Sequence, residues 1–351
     1  MGRFVLHSCP DLIESPFSPF AFTSQRDTED LGLPWSAPFP LALKATGEET
    51  IHQAVCAIRT FAESGQLRDL IKLHGGAILI RGLPIQTPQD YSSVAHALGA
   101  QRENRERGSP ELPIWPHNEY GWPTINPAWL TFSALKVPSF GGATPITSSI
   151  HIAHRLERAA PGFVDELKRK GAKYTYRYTP NTLASNTGNS ISRAYGAHVT
   201  DHDEEELFRR KVEREVRRHS ACFEWHEDGS LSVTHVVPAD TTGLHALPSS
   251  AAMMAPTIRH RSSGTGTPMD VRNLDLLLDI AEEGAALLEW EEGGMVILDN
   301  YAEQHSRRPW KGDRQVLAAL WDDDDREEYR RIQDFPEGLE ILRGALRAPV
   351  V

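Results

Sequence analysis

Three of the fifteen histidines in this 351-residue chain stand two residues before a carboxylate: His117/Glu119, His202/Glu204 and His226/Asp228. A histidine and an acid so close can form a metal-binding doublet. With 48 acids in the chain, chance alone supplies about two such matches, so the surroundings must decide. His202 and Glu204 open a charged helix, where acids serve the helix start. His226 and Asp228 fall in a hairpin turn, and Asp228-Gly229 is turn chemistry. His117 and Glu119 lie in IWPHNEYGW (114–122), among Trp115, Tyr120 and Trp122. A mostly apolar stretch has no solvation reason to hold both groups, and burying a carboxylate is costly unless it is paired or metal-bound.

A third group comes from GGMVILDNYAEQHSRRPWKGDRQVLAALW (293–321). A buried strand is expected to end at Asp299-Asn300. His305 follows in a loop, and a second strand begins with Arg314. His305 completes a set of two histidines and one carboxylate. Such a set occupies one face of an octahedral ferrous ion and leaves the other positions for substrate and oxygen. GGATP (141–145) adds the hydroxyl of Thr144. A hydroxyl and an arginine together suit a carboxylate, because the guanidinium forks onto two oxygens and the hydroxyl donates one more bond.

The elements that must carry these groups are legible in the periodicities. Ile51, Val55, Ile58 and Phe61 are spaced for the buried face of a helix over 48–73. Gly75-Gly76 ends it, and AILIRGL (77–83) reads as a short buried strand. SSVAHALGA (92–100) reads as a small helix. Strands are expected over 128–137, 173–179, 295–300 and 314–321, and a hairpin over 223–237. Helices are expected over 150–171, split near Pro161, over 201–219 and over 270–285. Residues 1–45 read as an irregular N-terminal arm, and 46–351 as one α+β domain with a mainly β core. The polar segment 238–268 is a candidate lid.

Composition narrows the function classes. Hydrophobic residues make up 40% and charged residues 24%, an ordinary globular balance. A net charge of −11 argues against nucleic acid or an anionic membrane as the main partner. Cys9, Cys56 and Cys222 show no metal-type spacing, and the N-terminal stretch lacks an apolar signal core, so a cytoplasmic protein is expected. No apolar run approaches membrane-span length. No G-x-S-x-G supports a serine nucleophile. The His/Glu/His set alone also fits a zinc-dependent hydrolase, and the strand content fits a non-catalytic binding protein.

Four blocks in order, GGAILIRGLP (75–84), PHNEYGW (116–122), GGATPITSS (141–149) and VILDNYAEQHSRRPWKGDRQVLAALW (296–321), resemble the taurine dioxygenase and clavaminate synthase-like superfamily of Fe(II)- and 2-oxoglutarate-dependent oxygenases. The resemblance implies a double-stranded β-helix, or jelly roll, with helices packed outside. It implies that His117, Glu119 and His305 ligate iron, and that Thr144 and Arg314 hold the distal carboxylate of 2-oxoglutarate. Glu119 matches the His-x-Glu variant of the clavaminate-type branch, and a carboxylate at this place argues against a halogenase. Some relatives carry a second arginine where this chain has Ala318. The reaction implied consumes 2-oxoglutarate and O2 and oxidises an unactivated C–H by hydroxylation, desaturation or ring closure. The branch points to a small amino-acid-like substrate in specialised biosynthesis. Asn118, Tyr120, Trp122, Arg307 and Arg308 are the candidate substrate contacts, with surface solvation the simpler expectation for the two arginines.

Overall fold

A computed structural model describes residues 17–45, 50–99, 102–105, 111, 113–119, 127–180, 190–200, 202–218, 220, 222–237, 261–263 and 269–321. Two facing, mainly antiparallel sheets form its centre. The larger has seven strands, in the order Phe17–Pro19, Leu41–Ala45, Ala77–Arg81, Met295–Asp299, Trp129–Lys136, Gln315–Trp321 and Arg102–Arg105. The smaller has four, in the order Ala286–Leu288, Thr144–Ser148, Glu303–Arg307 and Ile114–His117.

The apolar runs of the sequence become strands buried on both faces. Along Met295–Asp299, Met295 and Ile297 turn outward to a cluster that includes Ala54, Ile58, Phe61, Tyr91 and Val94 of the helices Ile51–Glu63 and Pro88–Ala97. Val296 and Leu298 turn inward, where they join Leu79, Leu130 and Phe132 of the larger sheet and Ile146, Ala286, Leu288 and Trp290 from the smaller sheet's side. Alternation on a pleated strand thus feeds two cores at once. Each large side chain so buried contributes about 1.5–3 kcal/mol. The result is a double-stranded β-helix with flanking helices, an α+β fold whose core is mainly β.

A further sheet, in the order Cys222–Trp225, Leu231–Val237, Ala172–Tyr178 and Arg261–Ser263, has its own apolar cluster with surrounding helices. The hairpin turns at Asp228-Gly229, with Gly229 at φ 75°. The hydroxyl of Thr147 donates to the Ala281 carbonyl (2.9 Å), tying the helix Val271–Glu283 to the smaller sheet.

Several expectations change. The helix expected over 48–73 is two helices, Ile51–Glu63 and Gln66–Leu73, because Gly65 takes a left-handed conformation at φ 81°. The stretch expected to be an irregular arm supplies Leu41–Ala45, which pairs in parallel with Ala77–Arg81. Too short to show a period, it is buried by its neighbours in the sheet. His305 is not in a loop: it lies within the strand Glu303–Arg307, all of it buried. That strand reads EQHSR, and its polar residues gave no strand pattern. Of the candidate lid, only 261–263 falls within the described residues, as a strand pairing with Ala172–Tyr174.

Candidate metal centre

The smaller sheet brings the doublet and the late histidine together. His117 ends the strand Ile114–His117 and is the register partner of His305. The two imidazole rings lie 4.2 Å apart between centroids. The Nδ1 of His117 stands 2.8 Å from the Trp115 carbonyl oxygen. A carbonyl can only accept, so Nδ1 carries the proton and the Nε2 of the neutral ring is left as an electron-pair donor. That Nε2 is 3.7 Å from Glu119 Oε2, and His305 Nε2 is 3.6 Å from the same oxygen. Phe132 packs against His305, with ring centroids 4.8 Å apart.

The ligand atoms of His117, Glu119 and His305 all lie within 4.8 Å of one another. Two imidazoles and one carboxylate on one side of a small space fit a single first-row divalent ion with open positions opposite. The Glu119 carboxyl agrees: burial pushes its pKa up, yet when the two rings carry Nε2 protons in place of a metal their hydrogen bonds and charge outweigh that and hold it well below the usual carboxylate range. It is therefore an anion ready to ligate.

The neighbouring strand carries Thr144, and Arg314 reaches it from just before the strand Gln315–Trp321 of the larger sheet. Ile146 is the register partner of His305, and Thr144 opens the same strand. The Thr144 hydroxyl accepts from the indole N–H of Trp290 (2.9 Å). Arg314 donates through Nε to the carbonyl of Gly142 (3.2 Å), two residues before Thr144. Gly142, at φ 73°, has no room for a side chain: a Cβ would meet Pro138 at 2.7 Å and both Arg314 and Trp310 at 3.1 Å. The guanidinium carbons of Arg307 and Arg314 lie 4.4 and 5.3 Å from the centre of the Trp310 ring.

The substrate candidates divide. The Asn118 amide is turned into the protein, donating to the carbonyls of Asn300 and of Glu303, so it braces the backbone instead of facing a ligand. Tyr120 and Trp122 lie outside the described residues. Arg307 is not solvated: it is 3% exposed. Arg308 is paired with Glu282 and its own N–H donates to the Ala143 carbonyl (3.0 Å), which makes it a rim residue rather than a site group.

Sequence reasoning missed Asn300, Trp290 and Glu303. Glu303 is fully buried on the strand of His305. Burial above all, then the charge of Asp299, hold its carboxyl well above the usual range, against a smaller opposing effect of the Ser148 hydroxyl. An Asn after a strand, a Trp in an acidic segment and a Glu among polar residues carry no signal of their own.

Residues 57–321 match the taurine catabolism dioxygenase TauD, TfdA family. The chain belongs to that family. It is an enzyme, an oxygenase dependent on Fe(II), 2-oxoglutarate and O2. The zinc hydrolase and the non-catalytic binding protein are thereby set aside. A clavaminate synthase-like protein of Arabidopsis thaliana is 26% identical over 282 residues, spanning 72% of this chain and 83% of its own length. The dapdiamide synthesis protein DdaC of Enterobacter agglomerans is 24% identical over 298 residues, spanning 72% of this chain and 84% of its own. Among solved structures, PvcB from Pseudomonas aeruginosa is similar at a TM-score of 0.46 and 15% identity, over 90% of this chain and 95% of that one. Among the described residues, no helix is long and apolar enough to cross a membrane.

Proposed function

We propose that His117, Glu119 and His305 hold the ferrous ion, that Thr144 and Arg314 hold the distal carboxylate of 2-oxoglutarate, and that the enzyme oxidises an unactivated C–H of a small amino-acid-like metabolite in specialised biosynthesis. The observation that carries this reading is the convergence of three ligand atoms within 4.8 Å, one of them on the strand next to the one that begins at Thr144. Bound iron with 2-oxoglutarate and O2 supplies the oxidising chemistry, releasing succinate and CO2.

The chain's own residues supply position and exclusion of water. His117 presents Nε2 because its Nδ1 proton is committed to the Trp115 carbonyl. Glu119 stays ionised beside the two histidines. Arg314 offers its fork near Gly142, and Thr144 offers a hydroxyl already engaged as an acceptor by Trp290. Phe132 and Ile146 close the space beneath His305. Arg307, buried two residues from His305 on the same strand with its guanidinium against the Trp310 ring, is the group we assign to the carboxylate of an amino-acid-like substrate. The name of the DdaC relative, a synthesis protein, supports the placement in biosynthesis.

The test is succinate release from 2-oxoglutarate with purified enzyme and Fe(II), screened against free and N-acylated amino acids. Stimulation by at least one such compound, lost in Glu119→Ala, is expected. Stimulation only by compounds lacking a carboxylate would overturn the substrate class.

A further inference from the structure

Glu119 lies beyond the strand that carries His117, so no ladder bond holds its backbone. Both of its main-chain groups go instead to one side chain. Asn300, 2% exposed at the end of Met295–Asp299, accepts from the Glu119 N–H through Oδ1 (2.7 Å) and donates through Nδ2 to the Glu119 carbonyl (3.0 Å). The second Nδ2 hydrogen goes to the carbonyl of Pro127 (2.9 Å). Both donors of the amide are thus used on the two ends of the segment that leaves Glu119 and returns at Pro127. Asn300 is itself fixed: its N–H donates to the Ala128 carbonyl (2.9 Å), and its carbonyl accepts from Asn118 Nδ2, which also donates to the Glu303 carbonyl (2.7 Å). Asn118 and Asn300 therefore cross-tie the exit of one strand to the start of the strand bearing His305.

We infer that Asn300 is the positioning residue for the metal-binding carboxylate. Two corners of the ligand triangle, His117 and His305, are fixed by the sheet register. The third is fixed by this one amide. With the N–H and the C=O of Glu119 both held, the peptides on either side of its Cα have little freedom to rotate, so the Glu119 side chain starts from a set backbone. Asn300 touches neither ion nor substrate, and its action is through Glu119. The inference rests on the ligand assignment proposed above.

Co(II) titration, followed by its visible absorption and by calorimetry, tests it together with the melting temperature of the metal-free protein. Wild type should bind Co(II), and His117→Ala should lose most of that binding. Asn300→Ala should bind about 10- to 100-fold more weakly, with a changed visible spectrum. Asn300→Asp, which retains the acceptor for the Glu119 N–H and loses both donors, should fall between. A merely structural role would lower the melting temperature and leave Co(II) affinity and spectrum unchanged, and that result would overturn the inference. Should Asn300→Ala fail to fold, amide exchange at Glu119 in metal-free wild type decides: slow exchange is expected, and exchange at the rate of an open chain overturns it. A wild type that binds no Co(II), or a His117→Ala that binds as tightly, sinks the ligand assignment itself; normal wild-type binding with unaltered Asn300 variants sinks only the role of Asn300.

Discussion

The indole N–H of Trp290 donates to the hydroxyl of Thr144 at 2.9 Å, with both side chains buried. An indole nitrogen can only donate, so the Thr144 oxygen must accept here and its own hydrogen is directed to another acceptor. On the assignment proposed above, Trp290 aims Thr144 at the cosubstrate carboxylate. Trp290→Phe keeps the ring and removes the donor. One hydrogen bond is worth about 1 kcal/mol, so the KM for 2-oxoglutarate should rise roughly 5- to 10-fold, with iron affinity unchanged. Steady-state succinate release measures this, and an unaltered KM would show that Trp290 does not aim Thr144.

Gly142→Ala should weaken the cosubstrate pocket from behind. The position has φ 73°, and the added methyl would strike Pro138 and press on Arg314 and Trp310. The left-handed conformation alone costs about 1–2 kcal/mol for a residue with a Cβ. A lower melting temperature is expected together with a raised KM for 2-oxoglutarate. A lower melting temperature with a normal KM would separate Gly142 from the pocket.

The acid limb of stability should depend on His74. Burial is the larger influence on this ring and lowers its pKa, against the smaller opposing effect of the Pro38 carbonyl, which lies 2.7 Å from Nδ1. A histidine kept neutral by folding contributes stability that is present above the unfolded value of about 6.5 and lost as pH falls through that window. His151 is shifted in the same direction, by burial first. Stability should therefore decline below about pH 6.5, by up to about 1.4 kcal/mol per pH unit for each group. Denaturant unfolding of the metal-free protein at several pH values should show a shallower decline in His74→Gln. An equal slope in the variant would exclude His74 as a source.

Arg307 tests the substrate assignment. Arg307→Lys keeps the charge but loses the planar fork and the stacking on Trp310. The KM for an amino-acid-like substrate should rise about tenfold or more, on the scale of a charged hydrogen bond, while slow substrate-free consumption of 2-oxoglutarate persists. Equal loss of both activities would place Arg307 in the scaffold and not at the substrate.

What the sequence shows and hides follows from where polar residues point. MVILD and AILIR are readable because both faces of those strands meet apolar cores, so the run itself is the signal. EQHSR is unreadable because all five of its residues are polar and all are buried, so no apolar alternation marks either face. The His117/Glu119 doublet stood out because its neighbours are apolar, and the structure sets both beside His305. Asn300 could not stand out, since an asparagine after a strand is ordinary turn chemistry. Its importance lies in partners at Glu119 and Pro127, more than 170 residues away in sequence. Arg307 and Arg308 look alike in sequence, yet the first is buried at the end of its strand and the second, just beyond it, pairs with Glu282.

The most direct test of the metal and cosubstrate assignment is the visible spectrum of the anaerobic protein with Fe(II) and 2-oxoglutarate added separately and together. A weak charge-transfer band is predicted that needs both, that disappears in His117→Ala and His305→Ala, and that needs much more 2-oxoglutarate in Arg314→Met. The absence of that band in the intact protein, or its survival at full strength in His305→Ala, would contradict the account.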